Sequence, residues 1–559
     1  MQAKFIKLFH RYANGWSLVL IVLALVIGLP IYTLIFKLFD GDSSGEVWSH
    51  LVNTVLSDYI LNSVGLVIVV SILTLLLGIS SAWIVSVCDV PMRKQFEWIL
   101  ILPLAIPSYI AAYVYAGIFD YTGPIQSFFR NNGWIGVQYI DIMNFWGVAA
   151  VMSLVLFPYV YVVARSSFMN QSATLLEASR ILGSSSYKTF FKIALPIARP
   201  AIIGGLSLVM MEVLNDYGAV KYYGINTFTT GIFRAWFSFG DASAAINLSG
   251  ILMLFIFMLL SAERWQRGKS RLDEGGHTSR NLKRYKLRGW RKSLAWFICF
   301  LPLFLGFLAP VFQLILWTAQ TIHKIISPDF ISLMLNSFGL ALLAAFLSVF
   351  LSLIILYAVR LYPTAFFRLL AKIVSLGYSV PGAVIAIGIM IPMLGLDKFL
   401  IELWANAFNI KIGLVLSSTI FALTFAYVVR FLTVAINPID AAFKKQSTST
   451  EEAAHSLGAG SIKTLIKVNL PLTKSALISG GILVFVDILK ELPLTLILRP
   501  FNFHTLATKA YELASDEMVA ESATPSLIII LIGIIPIIIL NRLMKTPAQH
   551  GNIIDKKPQ

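Results

Sequence analysis

The chain has 559 residues, of which 57% are hydrophobic and only 13% are charged, and its mean hydropathy is +0.79. Soluble domains carry about 25% charged residues, so this composition excludes a soluble enzyme. It also excludes a nucleic-acid-binding protein, despite the net charge of +16, because most of the chain holds no charge at all. The composition indicates an all-α, multi-pass membrane protein whose surroundings are lipid.

Twelve apolar segments are candidates for membrane-spanning helices. A helix needs about 20 mainly apolar residues to cross the hydrocarbon core. Ten stretches without Asp, Glu, Lys or Arg are residues 13–36, 59–88, 98–119, 142–164, 242–262, 293–322, 330–359, 373–396, 412–429 and 523–540. Two shorter stretches, 200–211 and 475–486, each end at an acidic residue. The first stretch is too long for the apolar region of a signal peptide, so we interpret it as the first span.

Lysine and arginine in the short loops predict the orientation. Lys4, Lys7 and Arg11 precede the first span, whereas the loop 40–57 has three acidic residues and no lysine or arginine. The segment 263–292 holds eleven basic and three acidic residues, which is half of the net charge. We therefore expect both termini and this linker in the cytoplasm. The linker is interpreted as a topology signal and tether, with a lipid-headgroup or regulatory partner site as the alternative.

The chain is an internal duplication. Leu61-Asn62-Ser63 opens the second span, and Leu335-Asn336-Ser337 opens the eighth, 274 positions later. Further matches follow at an offset of 275, among them Leu195-Pro196 with Leu470-Pro471. The offset predicts two parallel six-span repeats, residues 1–262 and 293–559, joined by the basic linker 263–292.

A cytoplasmic loop with the same pattern occurs in both halves, at 172–196 and 447–471. Each copy opens with the S/T-x-x-E spacing of a capping box, Thr174 with Glu177 and Ser449 with Glu452. A glycine follows, Gly183 or Gly458, and glycine suits the left-handed position after a helix. The pattern predicts a short helix in each loop. One copy could be an ordinary capped connector, but two copies at one spacing favour a functional element.

These loops resemble the E-A-A-x3-G-x9-I-x-L-P loop of ABC importer permeases, with Ser179 and Val468 as the departures from that pattern. The resemblance implies a type I ABC importer permease fold. It also implies that the two short helices dock onto two copies of an ATP-binding cassette subunit. The residues implied in this coupling are Glu177, Ala178, Gly183, Glu452, Ala453 and Gly458.

Nothing in the sequence indicates an enzyme. The segment 458–464 lacks the Gly-Lys-Ser/Thr ending of a phosphate loop, so ATP hydrolysis is expected in a partner subunit. The seven histidines have no metal-ligand spacing. We therefore expect no catalytic residue, no cofactor and no resident metal.

Acidic residues interrupt the fifth and eleventh spans. Glu212 and Asp216 match Asp487 and Glu491 at the offset of 275. Charged groups at membrane depth are costly and usually face a cavity or a partner. We predict an acidic vestibule on the substrate path, suited to a cation. The alternative is that these helices simply end there, with Lys490 and Glu491 offsetting each other.

The segments after these acids give a narrower resemblance, to the fused ferric-iron permeases of binding-protein-dependent uptake systems. They are residues 215–224, 227–237, 490–493 and 498–503. This resemblance implies Fe(III) as the substrate, a periplasmic substrate-binding protein and a bacterial inner membrane. Hard cations favour oxygen ligands, which Tyr217, Tyr222 and Tyr223 could provide, although interfacial tyrosines usually form the aromatic belt. A permease for thiamine or another small solute, and a secondary transporter without an ATPase, remain the alternatives.

Overall fold

Helices make up nearly all of the chain in the computed structural model, which describes residues 15–39, 45–133, 141–170, 179, 185–267, 284–410, 412–417 and 419–545. Up to the linker the α-helices are α1 Gly15–Phe39, α2 Glu46–Thr54, α3 Leu56–Val87, α4 Arg93–Ile99, α5 Ser108–Phe119, α6 Pro124–Asn131, α7 Phe145–Asn170, α8 Ser186–Thr189, α9 Leu195–Asn215, α10 Gly218–Tyr222, α11 Phe228–Phe233 and α12 Ala242–Arg267. After the linker they are α13 Trp290–Leu303, α14 Ala309–Ile325, α15 Pro328–Leu361, α16 Ala365–Val374, α17 Gly382–Phe408, α18 Ile420–Lys445, α19 Thr448–Ser456, α20 Ser461–Thr464, α21 Leu470–Leu489, α22 Pro493–Leu498, α23 Leu506–Ser515 and α24 Ala523–Lys545. Two-residue strands, β1 Cys88–Asp89 and β2 Tyr285–Lys286, pair in parallel.

The chain forms two compact units. The first unit takes Met1–Leu51, Ile232–Met253 and Ile326–Lys509, and the second takes Val52–Gly231, Leu254–Ile325 and Ala510–Gln559. In the first unit, α15, α18 and α21 pack against one another, and α1 packs against α17. In the second unit, α3, α7 and α9 form the corresponding group, and α14 packs against α24.

The membrane-spanning helices agree with the predicted number. Ten helices of the described chain are long and apolar enough to cross a membrane. An eleventh crossing is a pair of helical segments, Arg93–Ala105 and Ser108–Asn131, bent by 88°. The shorter apolar helix Ala523–Ile539 coincides with the predicted last span. The expectation of an all-α protein with about twelve spans is therefore confirmed.

Helix breaks interrupt both of the segments 98–119 and 373–396, for which the sequence predicted continuous helices. Pro107 and Pro381 take extended conformations, with ψ of 144° and 146°, and the next helix starts directly after each. Proline has no backbone N–H and disfavours helical geometry in the residue before it. The two breaks lie 274 positions apart, so the duplication extends to the backbone.

The duplicated Leu-Pro pairs also take equivalent places in the backbone. Leu195-Pro196 and Leu470-Pro471 each lie inside a continuous helical segment, Tyr187–Asn215 and Ser461–Leu489. A five-residue π-helical segment precedes each pair, at Phe190–Ala194 and Leu465–Asn469. The wider turn of a π-helix accommodates a residue that has no N–H to donate. The amphipathic segment and the span that follows it are therefore one continuous helical rod in each half, Tyr187–Asn215 and Ser461–Leu489.

Glycine allows the close approach of α3 and α7 in the second unit. A Cβ atom added to Gly78 would lie 2.8 Å from Cβ of Val160 and 3.0 Å from the carbonyl oxygen of Phe157. Real Cβ atoms do not approach other atoms so closely, so the two backbones could not keep this separation. Small residues at such crossings are typical of membrane helices.

We predict that Gly78→Val destabilises the protein, because the new side chain must push α3 and α7 apart. Overpacking costs about 1–3 kcal/mol, which should lower the thermal midpoint of the purified protein by several degrees. Gly339→Val on α15 is the matched control, since a Cβ there meets nothing within 4 Å. Equal midpoints for the two variants would contradict this view of the α3–α7 contact.

Candidate functional site

The predicted short helix of the second half is α19, Thr448–Ser456, between α18 and the rod that contains α21. Glu452, Ala453 and Gly458 are all exposed. Gly458 has φ of +79°, and its N–H donates to the carbonyl of His455 at 2.9 Å. The N–H of Ala459 reaches back to the carbonyl of Ala454 at 3.0 Å. These two bonds form a Schellman ending, which confirms the prediction for Gly458.

The other end of α19 departs from the sequence prediction. The N-cap is Ser447, whose Oγ accepts a hydrogen bond from the N–H of Ser449 at 3.2 Å. The predicted capping box of Ser449 with Glu452 is therefore wrong, because the helix starts at Thr448 and Ser449 lies within its first turn. Four candidate serines and threonines, residues 447–450, precede the acids, and sequence spacing alone does not select among them. Glu452 is left on the exposed surface.

A partly buried clamp that the sequence did not reveal holds α19 to the spans of the first unit. Arg360, at the end of α15, donates from Nε to Oε1 of Glu451 at 2.6 Å, and Nδ2 of Asn469 also contacts Glu451. Other guanidinium nitrogens of Arg360 donate to the carbonyls of Phe443 and Gln446. Both side chains of the ion pair are only 14% exposed. One arginine thus connects α15, α18, α19 and the π-helical start of the next rod.

The described residues include only part of the first copy of the loop. Glu177, Ala178 and Gly183 lie outside the described residues. Ser179 is buried, and its Oγ lies 2.7 Å from Oγ1 of Thr189. The positions that correspond to Arg360 and Glu451 are Ser86 and Leu176, so this ion pair belongs to the second half.

Two of the four predicted pathway acids act as helix caps. Oδ1 of Asp216 accepts from the N–H of Ala219 at 2.9 Å, at the start of α10. Oε1 of Glu491 accepts from the N–H of Leu494 at 3.1 Å, at the start of α22. Asp216 and Glu491 are buried, with 8% and 7% exposure. The repeat therefore places equivalent acids at equivalent backbone breaks.

The partners of these two acids differ between the halves. Ser108 donates its hydroxyl hydrogen to Asp216, whereas Arg430 forms an ion pair with Glu491 at 3.4 Å. Position 382, which corresponds to Ser108, is a glycine. A Cβ there would lie 2.6 Å from an Arg430 nitrogen and 2.7 Å from a Glu491 oxygen. Glycine thus makes room for a buried arginine where the first half has a hydroxyl.

The other two predicted acids lie one turn before Asp216 and Glu491, near the ends of α9 and α21. Asp487 pairs with Lys490 at 3.0 Å, and Glu212 is half-buried near the end of α9. Of the predicted tyrosines, Tyr223 donates its hydroxyl hydrogen to the carbonyl of Ala112 at 3.1 Å and is buried. The ring of Tyr217 lies 6.1 Å from that of Tyr511.

The duplicated Leu-Asn-Ser sequences position the segments that follow the acids. Oγ of Ser63 accepts from the N–H of Phe228 at 3.2 Å in the second unit. Oγ of Ser337 accepts from the N–H of Leu506 at 2.9 Å in the first unit. Each serine thus satisfies the first N–H of α11 or α23, a group that would otherwise lack a partner at the start of a helix.

The second unit contains a cavity of about 830 Å³ at the end where α7 begins. Its wall includes three acidic side chains, those of Asp120, Glu517 and Glu521, against one basic side chain, that of Lys221. Its other large side chains are Tyr222, Trp317, Tyr511 and Met143. None of the four predicted pathway acids is among the described residues that line it. The net negative charge and the phenol oxygens suit a cation rather than an anion.

Thr122 holds the Asp120 carboxylate in place on the cavity wall. The hydroxyl of Thr122 donates to Oδ2 of Asp120 at 2.6 Å, and its N–H donates to the same oxygen at 3.2 Å. These two hydrogen bonds fix the orientation of the Asp120 carboxylate on the cavity wall.

Glu517 is held in a backbone conformation that normally requires glycine. Its φ is +64°, and it follows α23 in a Schellman ending, with Met518 N–H bonded to the carbonyl of Leu513 at 2.9 Å. The same ending uses Gly224 after α10 and Gly458 after α19. A non-glycine residue costs about 1 kcal/mol at such a position, and strain of this kind concentrates at functional sites. A carboxylate on the cavity wall is thus retained against a backbone preference.

Sequence reasoning missed the cavity because it looked for duplicated residues. Asp120, Glu517 and Glu521 correspond to Leu394, Ala242 and Ile246 in the other half. The acids follow one span and precede another, which is a common place for solvated charges. The three acids are visible in the loops, but their sequence surroundings do not distinguish them from ordinary solvent-exposed acids.

Comparison with known proteins adds to this geometry. Residues 75–267 and 351–546 both match the binding-protein-dependent transport system inner membrane component. The chain belongs to this family. It is therefore a multi-pass inner-membrane permease subunit with two copies of the family domain, and it is not an ATPase.

Relatives of this permease differ in the substrates that their names give. An Fe(3+)-transport system permease protein of Haemophilus influenzae is 26% identical over 94% of this chain and 97% of its own length. A spermidine/putrescine transport system permease protein of the same species is 25% identical over 48% of this chain and 98% of its own. The sulfate transport system permease protein CysT of Escherichia coli is 27% identical over 38% of this chain and 74% of its own. Similarity to the ferric-iron relative extends across both repeats of the permease.

We predict that Arg360→Met loosens α19 from the spans of the permease. Charge-assisted hydrogen bonds contribute about 1.5–3 kcal/mol, so amide hydrogens of residues 448–458 should exchange at least about tenfold faster. Hydrogen-exchange mass spectrometry measures this without any partner. Arg368→Met on α16, where the side chain is exposed, is the control. Unchanged exchange in Arg360→Met would show that the clamp does not hold the helix.

A second prediction concerns the strained end of α23. Glu517→Gly should raise the free energy of local unfolding there by about 1 kcal/mol, because glycine adopts φ of +64° without the Cβ penalty. Gly458→Ala should have the opposite sign at the end of α19. Hydrogen exchange of the last-turn amides in each variant measures both effects. Slower exchange in neither helix, or in the wrong one, would contradict the strain argument.

Proposed function

We propose that this chain is the membrane permease of an ATP-driven importer that carries Fe(III) inward from a periplasmic binding protein. The main support for this substrate is the similarity to the ferric-iron permease, which covers nearly the whole of both chains. The acidic cavity supports a cationic substrate, since it combines three carboxylates with phenol oxygens. Fe(III) is a hard cation and prefers such oxygen ligands.

The ion is expected to pass through the permease without a permanent binding site. Among the described residues, no group of three or more His, Cys, Asp or Glu side chains is placed to hold a metal ion. A cavity that attracts a cation and does not chelate it suits transport, because a substrate that binds too tightly would not leave. In this proposal Asp120, Glu517 and Glu521 receive the cation. Glu212, Asp216, Asp487 and Glu491 shape the path at its helix breaks.

Coupling to a separate ATPase is assigned to the two duplicated loops, 172–196 and 447–471. The contact residues are Glu177, Ala178 and Gly183 in one loop and Glu452, Ala453 and Gly458 in the other, with one ATP-binding cassette subunit for each loop. In the second loop the exposed surface of α19 supports this role. Leu457 is 88% exposed at its end. The clamp through Glu451 and Arg360 would pass movement of α19 directly to α15 and α18.

The proposed orientation follows from the charge bias of the loops. Both termini and the linker 263–292 lie in the cytoplasm, so the permease repeats are residues 1–262 and 293–559. The cavity then opens to the periplasm. α7 begins at Phe145, two residues after Met143 on the cavity wall, and reaches Arg165 near its other end, about 30 Å away at 1.5 Å per residue.

Polyamine import is the second candidate. The spermidine/putrescine relative is similar over 98% of its own length, which corresponds to 48% of this chain. A polyamine is also a cation. Sulfate is disfavoured as a substrate because the cavity would repel an anion, although a sulfate permease is similar over 38% of this chain. The cavity charge alone does not separate Fe(III) from a polyamine, so transport must be measured.

The test is uptake by proteoliposomes that contain the permease with its ATPase and binding protein. Radioactive Fe(III), spermidine and sulfate are supplied separately. We expect ATP-dependent uptake of Fe(III), reduced about fivefold or more by Asp120→Asn, Glu517→Gln and Glu521→Gln together. The loss should be smaller at 1 M salt, where charge interactions are screened. Asp516→Asn is the control, because Asp516 is exposed beside Glu517 but does not line the cavity.

Three outcomes would count against the proposal. Spermidine uptake without Fe(III) uptake would select the second candidate. Uptake of sulfate would overturn the cation assignment. Full Fe(III) uptake by the triple variant would show that the cavity acids are not needed for transport, while Fe(III) would stand as the substrate.

A further inference from the structure

The end of the second unit opposite the cavity carries a dense group of basic side chains. Strands β1 and β2 bring the two ends of this group together, with Cys88 beside Tyr285 and Asp89 beside Lys286. The pairing therefore places Arg284 and Lys286, which lead out of the linker, next to the turn that leads into α4. We call Arg93, Arg165, Arg284 and Lys286 the basic cluster.

One carboxylate serves two of these arginines. Arg93 forms an ion pair with Oε1 of Glu97, and Arg165 approaches Oε2 of Glu97 at 3.4 Å. Nε of Arg165 is buried and has no hydrogen-bond partner among the described residues. A guanidinium N–H without an acceptor is costly, so Glu97 does not satisfy the whole of the Arg165 side chain.

Arg284 adds positive charge that this carboxylate does not balance. Partial burial and then the charge of Arg93 lower the pKa of Arg284, and arginine stays protonated in proteins despite such shifts. Like charges held together by a backbone pairing repel each other. An added anion would relieve that repulsion.

The start of α13 extends the same surface. The ring of Trp296 lies 6.4 Å from that of Phe96, the neighbour of Glu97, and Lys292 lies one helical turn before Trp296. Arg288, Arg291 and Lys292 are exposed. This surface holds eight basic residues against two acidic ones, Asp89 and Glu97. The basic residues are Arg165 and those of the segments 88–97 and 284–292, with Lys94 among them.

The position of this surface is that of a membrane–water interface. α3 ends at Val87, directly before β1, and Arg165 lies in the last two turns of α7. Trp290 is 70% exposed beside the basic residues, and exposed tryptophan is typical of the headgroup level. The surface therefore lies where phosphate groups of lipids lie.

We infer that the basic cluster binds a phosphate-bearing anion, namely the headgroup of an anionic phospholipid or free phosphate. The exposed side chains of Arg284 and Lys286 would face the phosphate oxygens, and the guanidinium of Arg165 would add positive charge behind them. Arginine matches phosphate geometry well, and basic pockets between membrane helices bind such headgroups. This inference does not rest on the transported substrate.

The experiment measures retained lipid on the purified full-length chain. The protein is placed in nanodiscs of phosphatidylcholine with 30% phosphatidylglycerol, transferred to detergent, and analysed by native mass spectrometry. We expect one or more phosphatidylglycerol molecules to stay bound. Arg284→Gln with Lys286→Gln should weaken retention by about fivefold for each charge removed. Arg368→Gln with Lys372→Gln, which removes two exposed charges from α16 of the first unit, should have no effect.

A second arm distinguishes the source of the phosphate. Inorganic phosphate at 10 mM is added to the lipid-loaded protein and, separately, to delipidated protein. Displacement of lipid, or phosphate binding that the Arg284→Gln variant loses, would identify free phosphate as a ligand of the same site. Retention that phosphate does not affect would identify the lipid. Equal lipid retention by both double variants, with no phosphate binding, would overturn the inference.

Discussion

The structure depends on the requirement that every backbone polar group exposed by a helix break at membrane depth be satisfied by the chain itself. The spans of this permease are broken where α9 and α21 end, and buried side chains complete the hydrogen bonding there. Asp216 and Glu491 accept from the first N–H groups of α10 and α22. Ser63 and Ser337 do the same for α11 and α23. These four residues explain why otherwise diverged halves keep the same residue types at a constant offset.

The halves diverge where a buried charge must be compensated. Asp216 has a hydroxyl donor from Ser108, whereas Glu491 has the guanidinium of Arg430, for which Gly382 leaves space. A buried ion pair is strongly destabilising when one partner is lost, so Arg430 and Glu491 depend on each other. The clamp of Arg360 and Glu451 is a second such pair in the same half. The second half thus carries two charge pairs that hold its short helices in place.

The acidic cavity belongs to only one half, and its acids have no duplicated counterparts. This asymmetry separates two kinds of constraint on a fused permease. Residues that complete the backbone are repeated because both halves need them. In the proposed function the substrate meets the acids of this cavity, so these residues are needed in only one half.

The sequence by itself determined the class of protein, the number of spans, the duplication and the short helix with its glycine ending. These follow from apolar length, constant offsets and local backbone preferences, all of which act over a few neighbouring residues. Only the tertiary structure decided which serine caps α19, that Glu451 and not Glu452 is clamped, and that Asp120 and Glu517 line a cavity. Each of these depends on a partner distant in sequence, such as Arg360 for Glu451. A linear pattern contains no information on which of two adjacent acids faces that partner.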